Sequence, residues 1–82
     1  MDRAQLLAEV AEQLISVRTG LGYDLDFAAQ QAHLEPERLA EAEAGMAALG
    51  EDELQRVADA YGVDMTAFFG GRVTPISYLF GA

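Results

Sequence analysis

Apolar residues recur every three or four positions along much of this 82-residue chain, a spacing that predicts amphipathic helices. In the first such stretch they form a stripe that would face a core: Leu6, Val10, Leu14 and Val17. A second stripe lies beside it and comprises Leu7, Ala11 and Ile15. Together the two stripes make a wider apolar face than a small helical bundle needs, so we expect another segment or another subunit to cover it.

Cap and turn residues divide the middle of the chain. Gly20 is placed to end the first helix, and Asp24 is a good N-cap for a second. Pro36 suits the first position of a third helix, which would end at Gly45. The pattern therefore predicts two short helices joined by a tight turn within residues 24–45.

The pattern continues with a fourth helix that Gly62 would end and a short fifth helix, Met65 to Phe69, that Asp64 would cap. Residues 71–82 then form an apolar tail. Its large apolar side chains are too dense for a free tail: Val73, Ile76, Tyr78, Leu79 and Phe80. We expect a single all-α domain over residues 1–82, a compact five-helix bundle with a short apolar C-terminal arm or helix.

Charge and composition narrow the possible functions. The chain has five arginines, no lysine and fourteen acidic residues, for a net charge of -9, and such a field repels DNA phosphates and anionic lipid. It has no cysteine, which excludes disulfides and thiolate metal ligands. Its apolar runs are shorter than the roughly 20 residues that cross a bilayer. We expect a soluble cytoplasmic protein that does not contact membranes.

The most specific motif lies after residue 42. Glu43, Ala44 and Gly45 form an E-x-G, and nine residues after the glycine comes a helix with the pattern L-x-x-V-A-x-A-x-G-V, from Leu54 to Val63. With Arg18, Asp24 and Leu34 upstream, this spacing resembles the Cro/Xre-type (lambda-repressor-like) helix-turn-helix family over about Leu14 to Phe69. The resemblance implies a bacterial or phage transcriptional regulator that binds double-stranded DNA, often as a homodimer.

The resemblance also implies roles for individual residues. Arg18 and Glu43 would form a structural ion pair between the first and third helices. The positions that would face DNA, or a partner, are Leu25, Pro36, Glu37, Arg38 and Glu41. Among these, Arg38 has the chemistry for a bidentate contact to guanine and is the leading DNA contact.

The charge of this surface favours an alternative to DNA binding. Residues 35–53 hold seven acids and one arginine, whereas affinity for DNA depends on neutralising phosphates. Glu37 and Glu41 are like charges four positions apart, which is mildly unfavourable in a helix. They are either a solvated helix face or a surface for a basic protein, in which case the fold serves protein interaction through an acidic third helix.

Other candidate chemistry is sparse. Leu7, Ile15 and the apolar tail either complete the core of one monomer or form a homodimer interface. His33 stands in the turn where the family often has glycine, and is either a tolerated turn residue or a ligand or pH sensor. The carboxylates lack the spacing of a calcium loop, and catalytic motifs are missing. We therefore expect no enzymatic activity, no cofactor and no metal.

Overall fold

Four α-helices and one short 3-10 helix make up the computed structural model, which describes residues 3–69. The helices are α1 (Arg3–Gly20), α2 (Leu25–Gln31), α3 (Pro36–Glu43) and α4 (Glu51–Tyr61), and the 3-10 helix is η1 (Met65–Phe68). The fold is all-α, as predicted. The tail, including Val73, Ile76, Tyr78, Leu79 and Phe80, lies outside the described residues.

The prediction of a five-helix bundle was wrong in its last element. Asp64 does cap the segment, since its side chain accepts a hydrogen bond from the Thr66 backbone N–H at 2.9 Å. However, the backbone that follows is a single turn with bonds to the third residue back: Ala67 N–H to the Asp64 carbonyl and Phe69 N–H to the Thr66 carbonyl. Bonds to the third residue back define a 3-10 turn, the usual form of helical pieces this short, and it replaces the expected fifth helix.

The core lies where all five elements meet. Each contributes to a set of side chains that have little or no contact with solvent, whose largest members are Val10, Leu14, Leu39, Leu49, Leu54, Val57 and Phe68. In α2 the buried residues are alanines, which allow it to pack closely against α3 and α4. Helix α1 packs against α3 and η1. This packing fixes α3 between the other helices and leaves its opposite face outward.

The second apolar stripe of α1 is covered only in part by residues 3–69. Ala11 is buried and Leu7 is partly buried against the core, but Ile15 remains 38% exposed.

Within the described part of the chain, no helix has both the length and the apolar content needed to cross a membrane.

Candidate nucleic-acid interface

The predicted helix-turn-helix unit is formed by α2, a short turn and α3. Asp24 caps α2 by accepting a hydrogen bond from the Phe27 backbone N–H at 2.8 Å. In the turn, His33 has a φ of 57°, which explains why glycine suits this position, and Leu34 N–H bonds back to the Ala29 carbonyl at 2.9 Å. The exposed His33 side chain therefore projects from a left-handed turn residue.

Helix α3 presents carboxylates to solvent. Pro36 occupies its first turn, where the missing N–H costs no helical hydrogen bond. Leu39 and Ala42 face the core and are buried. Glu37 and Glu41 are exposed on the outer side, so this face carries negative charge.

Arg38 forms a bidentate ion pair with Glu53, at the start of α4. Its Nε donates to Oε2 of Glu53 at 3.0 Å, and its Nη2 donates to Oε1 at 2.8 Å and to the Ala48 carbonyl at 3.1 Å. Oε1 also accepts the Gly50 backbone N–H at 2.9 Å, which caps α4. We call this set of contacts the Arg38–Glu53 clamp; it ties the start of α3 to the connector and to α4.

The clamp changes the electrostatics of the candidate interface. The hydrogen bonds from Arg38, with help from Gly50, lower the pKa of Glu53 to about 2. Glu53 is therefore ionised at neutral pH and neutralises the arginine that the family resemblance assigns to DNA. The side chains of Arg38 and Glu53 are 37% and 23% exposed, so water still reaches the pair.

Arg18 and Glu43 also meet, and they do so in a drier place. Nε of Arg18 lies 2.7 Å from Oε2 of Glu43 and Nη2 lies 2.9 Å from Oε1, with side-chain exposures of 15% and 8%. Nη1 of Arg18 donates to the Tyr23 carbonyl at 2.9 Å. The bond to Glu43 raises the pKa of Arg18. This pair joins α1 to the end of α3 and to the loop before α2.

The glycine of the E-x-G motif sits where α3 approaches α1. Gly45 has a φ of 74°, and a β-carbon built on it would lie 3.7 Å from Cα of Ala8. That distance is ordinary contact, so the positive φ, rather than lack of space, is what favours glycine here.

Two other residues predicted to face DNA or a partner are less exposed than the carboxylates of α3. Leu25, the first residue of α2, is partly buried against the core, and Pro36 is half-buried.

Sequence reasoning missed Glu53 and Arg56 as neighbours of the motif. Glu53 stands at the third position of α4, which suggests a cap, but nothing local links it to Arg38 fifteen positions earlier. Arg56 donates from Nη1 to the His33 carbonyl at 3.0 Å and so brings a guanidinium of α4 to the turn between α2 and α3. Among residues 3–69, no group of three or more acidic or histidine side chains is arranged to hold a metal ion.

Comparisons with known proteins support the fold assignment. No protein-family model matches the chain, and no curated protein does. Among solved structures, the chain is similar to a crystal structure of an HTH_3 family transcriptional regulator from Vibrio cholerae, with a TM-score of 0.79 and 25% sequence identity. The match covers 83% of this chain and 38% of the Vibrio protein, so the likeness is to a part of that regulator. The chain has the fold of a helix-turn-helix regulator domain.

Proposed function

We propose that this chain is a DNA-binding helix-turn-helix domain of a transcriptional regulator and that α3 faces the major groove. The observation that carries the proposal is the structural similarity to the Vibrio regulator, in which a chain of this fold is part of a transcriptional regulator. The α2-turn-α3 unit supports it, because its turn is well formed and α3 has one face free of the core.

The proposed reading residues are those of the outer face of α3 together with the start of α2. Carboxylates at Glu37 and Glu41 can accept hydrogen bonds from the amino group of cytosine, and Arg38 can donate to guanine. The same carboxylates repel the nearby phosphates, so binding of one domain is weak, and it falls only gradually with salt because few phosphates are neutralised. Two domains in a homodimer would raise the apparent affinity by avidity, with half-sites about 34–36 Å apart. The compartment we propose for such a regulator is the cytoplasm.

A selection from a random duplex pool at low salt, about 50 mM, tests this function. We expect enrichment of a defined sequence and binding that weakens as salt is raised. The double variant Glu37→Gln and Glu41→Gln should bind non-specific duplex more tightly and discriminate less between sequences. The matched control removes two charges from α1, Glu9→Gln and Glu12→Gln, and should change binding less. Failure to enrich any sequence, together with no salt-dependent binding, would contradict the proposal.

One observation favours a second function, recognition of a basic protein. The only arginine within α3 is already neutralised by Glu53, while Glu37 and Glu41 are exposed on the same helix. An oligoarginine peptide is a suitable probe. Under this second function the Glu37→Gln, Glu41→Gln variant loses peptide affinity, whereas under the first function it gains DNA affinity, so the two assays on one variant separate the functions.

A further inference from the structure

Arg38 is the one arginine or lysine in the sequence of the helix-turn-helix unit, residues 24–45. Between Arg18 and Arg56 there is no other arginine or lysine. Any direct guanidinium contact from α3 to DNA must therefore come from this residue. In the structure its Nε and Nη2 are both directed at the carboxylate of Glu53.

The bonding geometry makes Glu53 and DNA alternative partners. A bidentate contact to guanine requires two N–H donors of one guanidinium, and so does the bidentate bond to a carboxylate. In the structure the fork of Arg38 that carries Nε and Nη2 is bonded to Glu53, and the second hydrogen of Nη2, which the other fork would need, is bonded to the Ala48 carbonyl. From this we propose that Glu53 and DNA compete for the guanidinium of Arg38, and that DNA binding by α3 includes breaking the ion pair between Arg38 and Glu53. This inference rests on the proposed DNA-binding function.

Solvent access allows Arg38 to exchange Glu53 for DNA, whereas Arg18 could not leave Glu43 in the same way. Arg38 and Glu53 are 37% and 23% exposed, so separating them leaves both charges in contact with water. Arg18 and Glu43 are 15% and 8% exposed, and separating them would leave a poorly hydrated charge. Glu53 also keeps the Gly50 N–H when Arg38 leaves, so the cap of α4 does not depend on the bridge.

The chain offers a well-matched pair of variants. Glu53→Gln removes the charge that competes for Arg38, and glutamine at this helix position still accepts the Gly50 N–H. Glu51→Gln removes the same charge from the same helical turn, two residues away, at an exposed position. The difference between these variants therefore isolates the release of Arg38 from the general loss of negative charge.

The test is a fluorescence-anisotropy titration of the 82-residue chain with labelled duplex DNA at low salt. We expect Glu53→Gln to bind roughly threefold or more tightly than Glu51→Gln, the size expected for an exposed bridge. In an Arg38→Ala background the two substitutions should have equal effects, because the competing partner is gone. In the unsubstituted protein, the NMR signal of the Arg38 Nε–H should shift in proportion to bound DNA.

The outcomes separate this inference from the proposed function. If the unsubstituted chain binds DNA while Glu53→Gln equals Glu51→Gln and the Arg38 signal does not move, competition is overturned and the DNA-binding function stands. If neither the unsubstituted chain nor Glu53→Gln binds any duplex, both are overturned. Circular dichroism of each variant establishes that the helices are intact. The Arg38 NMR signal is measured in the unsubstituted protein, so that part of the test does not depend on how any variant folds.

Discussion

Arg18 and Glu43 stand 25 positions apart in the sequence and meet through two hydrogen bonds of 2.7 and 2.9 Å. The third donor of the guanidinium reaches the Tyr23 carbonyl, so one side chain joins α1, the loop before α2 and the end of α3. These contacts hold the end of α3 against α1. The pair therefore bears on the position of the helix that we propose reads DNA. We propose a structural role for this pair, in contrast to the more exposed pair of Arg38 and Glu53.

We predict that Glu43→Gln destabilises the domain by about 2–4 kcal/mol, because it leaves the poorly hydrated Arg18 guanidinium without its counter-charge. Urea denaturation followed by circular dichroism measures the change. Glu41→Gln, an exposed position in the same helix, is the control and should change the free energy of unfolding by less than about 0.5 kcal/mol. Equal effects of the two substitutions would show that the pair contributes little.

The lowered pKa of Glu53 predicts a pH dependence of stability. Its folded-state pKa is about 2, well below the ordinary glutamate value of 4.5, so the ionised form stabilises the fold. That contribution is fully present above the unfolded-state pKa and is lost as the pH falls from 4.5 toward about 2. Unfolding free energies of the unsubstituted protein and of Glu53→Gln should therefore differ most near neutral pH and converge in acid. A difference that stays constant over this range would contradict the assignment.

Gly45 gives a prediction about the E-x-G motif. Gly45→Ala should cost roughly 1–2 kcal/mol, because alanine is strained at a φ of 74° even though its β-carbon would meet no closer atom than Cα of Ala8 at 3.7 Å. Gly20→Ala is the matched control. A β-carbon there meets nothing within 4 Å and the φ is not positive, so this substitution should be neutral or stabilising. Thermal denaturation of the two variants compares them directly, and a Gly45→Ala variant as stable as Gly20→Ala would contradict this view.

Tyr61 is buried with a hydroxyl that finds no hydrogen-bond partner among residues 3–69. Burial, more than the nearby Glu43 charge, raises the pKa of Tyr61 to about 12. Tyr61→Phe should be neutral or stabilising by up to about 1 kcal/mol, since it removes an unsatisfied polar group and keeps the ring contacts with Tyr23 and Phe68. Alkaline titration of tyrosine absorbance should lose its highest-pKa component in this variant. A loss of more than about 1 kcal/mol would indicate a hydroxyl partner.

The sequence predicted the helices well where local chemistry sets their ends. Asp24 caps α2, Pro36 begins α3, and Gly62 ends α4 with a φ of 70°, because each signal acts within one turn of backbone. The prediction failed at residues 65–68, where the Asp64 cap indicated a helix but the segment is one 3-10 turn long. A cap shows where a helical segment begins, and it carries no information about which type of helix follows.

The candidate site was harder to predict because it depends on contacts between elements. The resemblance to a family named Arg18 with Glu43, and the structure brings them together. Nothing in the local sequence paired Arg38 with Glu53, since their meeting depends on how the connector around Ala48 and Gly50 folds back. The resemblance placed Arg38 on the outer face of the third helix, but it could not show which carboxylate would reach it.

The central claim, that the α3 face binds DNA, is tested most directly by an amide NMR titration of the 82-residue chain with the duplex selected from the random pool. We predict shifts concentrated at Leu25, Glu37, Arg38 and Glu41, reversed by added salt, with α1 around Glu12 unaffected. With a duplex of unrelated sequence, Glu37→Gln should strengthen the shifts, because it removes a charge that repels the phosphates. The absence of any shift up to roughly 100 micromolar DNA, the weak end of non-specific affinity, would contradict the claim, as would shifts located only away from α2 and α3.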